Sequence, residues 1–275
     1  MLLPRVLTAL FLAPLMLAGI YLLPDNGFRV FIGLIVALGA WEWANIAGIQ
    51  SAMGRIGFAA VASLMLGILH VVLVVNTTLW VNLTLLSLMW WIVACFIVFV
   101  YPRRTQWLRS VLLRALVGIP VLGAFWLGLV WLKNQPQSAL LLTWLMLLVW
   151  GADIGAYFAG RLFGNRKLAP NVSPGKTWAG VYGGMVTSVF ISMLVAYWFL
   201  DDHSVKGWLW LILLSIGVVV ISVMGDLFES LLKRNRGIKD SSSLLPGHGG
   251  VLDRIDSLCA ATPMFVLLWL VLSAV

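Results

Sequence analysis

Two stretches hold most of the polar chemistry in this chain. In GDLFESLLKRNRGIKD, residues 225–240, Asp226, Glu229 and Lys233 stand at i, i+3 and i+7 and share one face if the segment is helical. Lys233, Arg234, Arg236 and Lys239 crowd in behind them, and Asp240 follows at once. In LLPGHGGVLDRIDS, residues 244–257, Gly247, Gly249 and Gly250 permit a sharp turn or a close approach of backbone to ligand. Backbone N–H groups in such a turn, just ahead of a helix, suit an anionic oxygen. Asp253 and Asp256 are i, i+3 and share a face if a helix starts there. Converging with Asp226, they would form a hard oxygen site suited to Mg²⁺. The interleaved Lys and Arg would neutralise phosphate oxygens that the metal does not reach. That is the mixture a metal–polyphosphate complex needs. His248 is either a base or phosphate donor, or a histidine packed under the glycine turn.

A third cluster is NRKLAPNVSPGKTW, residues 165–178. Ser173, Lys176 and Thr177 can bind phosphate, with Ser173 or Thr177 as a plain helix cap the alternative. The GKT triplet is not a nucleotide P-loop, because Pro170 stands where that motif needs glycine and no strand is expected before it.

These residues are embedded in oil. Of the 275 residues 62% are hydrophobic and only 10% charged, too few charges to cover a water-soluble domain of this size. Nine apolar segments recur, at 6–23, 28–47, 57–75, 79–100, 111–132, 138–160, 178–200, 207–228 and 258–275. Most reach the length of about 18–20 residues that crosses a hydrocarbon core, and the alternation of barrel strands is missing. The expected fold is therefore an all-α, polytopic, multi-pass membrane bundle. The first segment follows Arg5 like a signal peptide but lacks a convincing cleavage site, so it reads as a retained span. Residues 1–137 form an N-terminal group of five spans and 138–275 a catalytic group of four. Cys95 and Cys259 lie in apolar spans and read as free thiols, with no metal spacing.

The net charge of +8 points to membrane orientation, not to nucleic acid. With the N-terminus in the cytoplasm, nine spans put 15 basic residues on that side and three, Arg29, Lys133 and Lys206, on the other. The C-terminus is then outside, and the loops 101–110, 161–177 and 229–257 are cytoplasmic. Glu42, Asp153 and Asp226 lie in or at the ends of spans, at one depth on that same side. Carboxylates at such depth are costly and read as functional, or else as interfacial anchors of helix ends. His70, mid-span, reads as an interhelical hydrogen-bonder.

The stretch SLLKRNRGIKDSSSLLPGHGGVLDRID, residues 230–256, resembles the signature of the phosphatidate cytidylyltransferases, or CDP-diacylglycerol synthases. Its Ser, Lys-Arg, Lys-Asp, His-Gly-Gly, Asp-Arg and Asp elements are all present in order. WGADIGAYFAGRLFG and KLAPNVSPGKTWAG look like the bacterial members. The specific match covers about 150–257. The resemblance implies that CTP and phosphatidic acid are the substrates, giving CDP-diacylglycerol and pyrophosphate. It implies a divalent metal, with Asp226 and Asp253 as metal-site carboxylates and Lys233, Arg234, Lys239, His248 and Arg254 as the polar lining. A bacterial inner membrane and a homodimer are expectations at the level of the family.

Three other readings fit less well. CDP-alcohol phosphotransferases have a motif that begins Asp-Gly, a pair absent from this sequence. Polyprenyl-phosphate transferases use an Asp-Asp pair, and Asp201-Asp202 falls on the outer side. A transporter would carry its ionisable groups near the midplane, whereas here they gather at one face.

Overall fold

Within a bilayer an apolar segment must satisfy its own backbone, and a helix does so without a partner. The computed structural model describes residues 3–74, 76–103, 105–199 and 204–273. They form nine helices: α1 (Leu3–Leu22), α2 (Asp25–Ala47), α3 (Ala52–Val74), α4 (Thr77–Val100), α5 (Val111–Lys133), α6 (Ser138–Phe163), α7 (Trp178–Phe199), α8 (Val205–Arg236) and α9 (Leu252–Ser273). Helices α2 to α9 are long and apolar enough to cross a membrane, and the apolar part described for α1 covers 10–22. The helical membrane bundle is thus borne out, with most helix ends within a few residues of the apolar runs. The larger differences lie where the polar segments continue helices: α3 starts at Ala52, α8 runs on to Arg236, and α9 begins at Leu252.

One element departs from the all-helical reading. Between α6 and α7 the chain makes an antiparallel hairpin, β1 (Lys167–Ala169) and β2 (Ser173–Thr177), pairing Lys167 with Thr177 and Ala169 with Ser173. The reason is local. Prolines 170 and 174 remove N–H groups and oppose helix, and the backbone that remains must still pair.

Helices α6 and α7 pack with their backbones almost touching. A Cβ at Gly183 would stand 2.8 Å from the Gly155 carbonyl oxygen, and one at Gly184 would stand 2.9 Å from that of Ala152. Small residues allow such contact in lipid, where packing must replace the hydrophobic drive. Buried hydroxyls reinforce it: Ser188 Oγ donates to the Leu148 carbonyl at 2.8 Å, and Trp144 Nε1 donates to Ser192 Oγ at 3.0 Å. The interior is filled by large side chains, among them Trp43, Trp144, Phe125, Phe228 and Phe265. His70 packs edge-on against Trp126, with ring centroids 5.6 Å apart. Cys95 and Cys259 are free thiols.

The bundle has two chemically different ends. At one, Thr8 Oγ1 donates to the Pro246 carbonyl at 3.0 Å, Asn45 Nδ2 to that of Ser241 at 2.8 Å, and Arg234 Nε to that of Val172 at 3.3 Å. At the other, Arg29 Nη2 donates to Asn134 Oδ1 at 2.9 Å and Lys133 Nζ to the Ile20 carbonyl at 2.7 Å. The start of α1, the hairpin and the 237–251 loop therefore share one end. Asp201, Asp202 and His203 lie outside the described residues.

Candidate active site

The hairpin and α8 bring Lys176 and Asp226 together. Lys176 Nζ is 2.6 Å from Asp226 Oδ2, with the two side chains 25% and 29% exposed, so the pair remains reachable. Ser230, one turn further along α8, donates Oγ–H to Asp226 Oδ1 at 3.1 Å. Beside the pair lies a cavity of about 390 Å³ between α6, α7 and α8. Asp153, Arg161, Lys176 and Thr177 supply its polar wall, and Val219 and Val223 part of its apolar one. A polar mouth and an apolar flank suit a molecule with a charged head and a greasy body. The close α6–α7 contact sets the width of this cavity, because Gly160, Gly180 and Gly184 also line it.

The glycine turn is built on buried carboxylates. Gly247 and Gly249 have φ of 75° and 81°, which lets Leu245 and Gly249 close a tight turn with a Leu245 N–H to Gly249 carbonyl bond of 2.8 Å. Asp253 Oδ2 accepts from the N–H of Gly250 at 2.7 Å, and from the N–H and Oγ–H of Ser241, both at 2.9 Å. The bond back to Gly250, three residues earlier, ties the first turn of α9 to the glycine turn. Asp253 Oδ1 takes the Lys233 ammonium at 2.5 Å, and that ammonium also donates to Glu229 Oε1 at 2.9 Å. Lys233 is thus a buried tie between α8 and α9.

Glu42 completes this base from the far end of the sequence. It is fully buried. It accepts from the Val251 and Leu252 amides at 2.9 and 2.6 Å, and from Ser242 and Ser241 hydroxyls at 2.6 and 3.1 Å. Gly250 fits only because it lacks a side chain, since a Cβ there would collide with Ser241 Oγ and stand 2.5 Å from Glu42 Oε1.

The expected residues are therefore divided between two tasks. Asp226 and Lys176 face the cavity region. Asp253, Lys233 and Gly250 hold the turn from below. Thr177 is buried and its Oγ1 accepts from the Gly180 N–H at 3.1 Å, so it caps α7 while touching the cavity wall. Ser173 is half-buried in β2, and Arg234 reaches the hairpin at Val172. Lys239, Asp240 and Arg254 are exposed, and His248 and Gly249 are partly buried in the turn. Glu42 and Asp153 stood out in the sequence only as carboxylates at membrane depth. The structure gives Glu42 the start of α9 and puts Asp153 in the cavity wall.

Asp256 lies on the α8-facing side of α9, where a Cβ at Gly225 would stand 2.7 Å from its carbonyl oxygen, and its Oδ1 accepts from the Ser257 N–H at 2.7 Å. Among the described residues, no three of the His, Cys, Asp and Glu side chains converge closely enough to hold a metal by themselves. Mg²⁺ commonly binds through one or two carboxylates together with the phosphates of a substrate. Asp226, which already draws an ammonium to one oxygen and is still reachable, fits that pattern, and Asp256 on the facing side of α9 is a second candidate. Asp253 has both oxygens engaged, by Lys233, Ser241 and Gly250, as Asp226 has by Lys176 and Ser230, so at either residue a cation would take the place of an existing partner.

A sequence model described as the cytidylyltransferase family matches residues 3–272. A phosphatidate cytidylyltransferase of Pseudomonas aeruginosa is 49% identical over 272 residues, 98% of this chain and 97% of its own length. One of Haemophilus influenzae is 37% identical over 287 residues, covering 96% and 97%. One of Brucella suis is 41% identical over 156 residues, about half of either chain at 54% and 56%.

Proposed function

The chain belongs to the cytidylyltransferase family, and on that premise we propose that it transfers the cytidylyl group of CTP to phosphatidate where Lys176 meets Asp226. An oxygen of the lipid phosphate attacks the α-phosphorus of CTP. The bond from that phosphorus to the bridging oxygen breaks, and pyrophosphate leaves with the electron pair. CDP-diacylglycerol remains in the membrane. The attacking oxygen is already anionic, so no strong base is required. The obstacle is the repulsion between two anions, and it is met by fixed positive charge at the meeting point.

The observation that carries this reading is that Lys176, which lines a cavity with polar and apolar walls, is paired with Asp226. The Lys176 ammonium holds a phosphate oxygen, and Asp226 orients that ammonium in the meantime. Asp153 and Arg161 set the charge of the opening through which the lipid head enters. The turn at 245–250 presents its backbone from the rigid base of Glu42 and Asp253. Mg²⁺, held by Asp226 and Asp256, would supply further positive charge to the phosphates of the nucleotide. The basic loops support a cytoplasmic position for this end of the bundle, on the side where CTP is dissolved, and a bacterial inner membrane is the setting that goes with this reading.

The test is direct. Purified protein in detergent, given CTP, phosphatidate and Mg²⁺, forms CDP-lipid and pyrophosphate in equal amounts, and chelation of the metal stops both. Folded protein that makes no CDP-lipid under these conditions refutes the assignment.

A further inference from the structure

Two arginines on the opposite flank of the loop lack acceptors. Arg114, in the first turn of α5, is only 6% exposed. Its backbone is fixed, since its N–H donates to the Ser110 carbonyl at 3.1 Å and its carbonyl accepts from Trp43 Nε1 at 2.8 Å. Its buried Nε has no hydrogen-bond partner. The same is true of the buried Nε of Arg236, the last residue of α8. Both guanidinium groups stand beside Gly48, which ends α2 with φ of 102°. The point where a Cβ of residue 48 would sit is 3.0 Å from Arg114 Nη2 and 3.6 Å from Arg236 Nε. The ion pairs among the described residues involve neither of them. Arg55 is at the same helix end but is engaged, donating Nε–H to the Ile49 carbonyl at 2.9 Å and Nη2–H to Asn45 Oδ1 at 2.7 Å.

Two adjacent like charges, one of them almost wholly buried, are unfavourable unless an anion lies between them. We infer that Arg114 and Arg236 form a second anion seat, one that takes a phosphate group beside Gly48. Guanidinium presents a planar fork of donors that matches phosphate oxygens. The first turn of α5 adds the positive end of a helix at the same place. Gly48, having no side chain, lets both guanidinium groups approach the end of α2. The seat is separate from the Lys176–Asp226 pair. It lies at the ends of α2, α5 and α8, whereas the pair lies between the hairpin and α8. Between the two are Glu42 and Asn45, which hold residues 241, 242, 251 and 252 of the loop. A phosphate there ties three helix ends together. It comes either from the head group of an anionic lipid at the interface or from free phosphate in the water.

The experiment measures thermal unfolding of the protein in dodecyl maltoside and phosphate-free buffer. One arm adds inorganic phosphate. The other adds phosphatidylglycerol, whose phosphate is a diester with no terminal group to enter the reaction. Wild type should gain Tm with increasing probe, and the arm that raises it identifies the source. Arg114→Met should weaken that response at least tenfold, with its probe-free Tm unchanged or raised because a lone buried charge is gone. Lys176→Met should keep the response. If Arg114→Met does not fold, Arg114→Lys keeps the charge without the fork and should still weaken the response. The inference is overturned if wild type answers neither probe, or if the Arg114 variants answer as wild type does. A probe-free Tm lowered in Arg114→Met also overturns it, because the arginine then serves only the carbonyls at the ends of α2 and α8.

Discussion

Asp226 and Lys176 differ from the other charged residues of this end in being paired yet still reachable. Exchanging Asp226 for Asn keeps its shape and removes its charge. Turnover should fall by 10²-fold or more, about 2.7 kcal/mol of transition-state stabilisation, with the protein still folded. Lys176→Ala should show a similar loss of kcat in the CDP-lipid assay. Lys233→Met should behave differently, because it leaves Glu229 and Asp253 buried without their cation. Removing one partner of a buried ion pair costs about 3–5 kcal/mol, so its signature is a large drop in Tm. The residue types needed for phosphate chemistry were legible in the sequence, and so was their family pattern. Their pairing was not. Asp226 and Asp253 read as two halves of one metal site; what no sequence pattern showed is that Asp253 also accepts from the Gly250 and Ser241 amides. Glu42 supplies the remaining acceptor from 209 residues away in the chain, a distance at which no local pattern operates.

Helix existence was easier to read than helix contact. The thickness of a bilayer imposes a minimum length on a span, and helices α2 to α9 meet it. The continuation of α8 to Arg236 was visible in the shared face of Asp226, Glu229 and Lys233. The hairpin was not expected, since five residues of β2 with two prolines or glycines among them carry no alternating pattern. The tight α6–α7 pairing also went unread, although Gly151 with Gly155 and Gly180 with Gly184 are each four apart and would share a helix face. Gly183→Leu tests this contact. Its side chain has no space against the Gly155 carbonyl and Ala159, so α6 and α7 should separate and widen the cavity. Activity should fall at least 10²-fold, while Gly67→Ala on α3, where nothing lies within 4 Å, should leave kcat and KM unchanged.

At the scale of the molecule, the charge asymmetry and the packing agree that the loops alternate between two ends. The assignment of those ends to sides of the membrane is testable with an impermeant thiol reagent. Asn171→Cys in the hairpin should react only from the cytoplasmic side and Gln137→Cys, at the start of α6, only from the outer side. A reporter fused after Val275 should be non-cytoplasmic. The reverse labelling pattern would invert the whole arrangement. The Glu42 connection also has a history during synthesis. Helix α2 is made early, and its carboxylate has no amide partner until Val251 and Leu252 have emerged from the ribosome. Until then the buried end of α2 holds a carboxyl group without its backbone donors. The last helix to be translated is thus the one that supplies the amide donors for an acceptor waiting in the second.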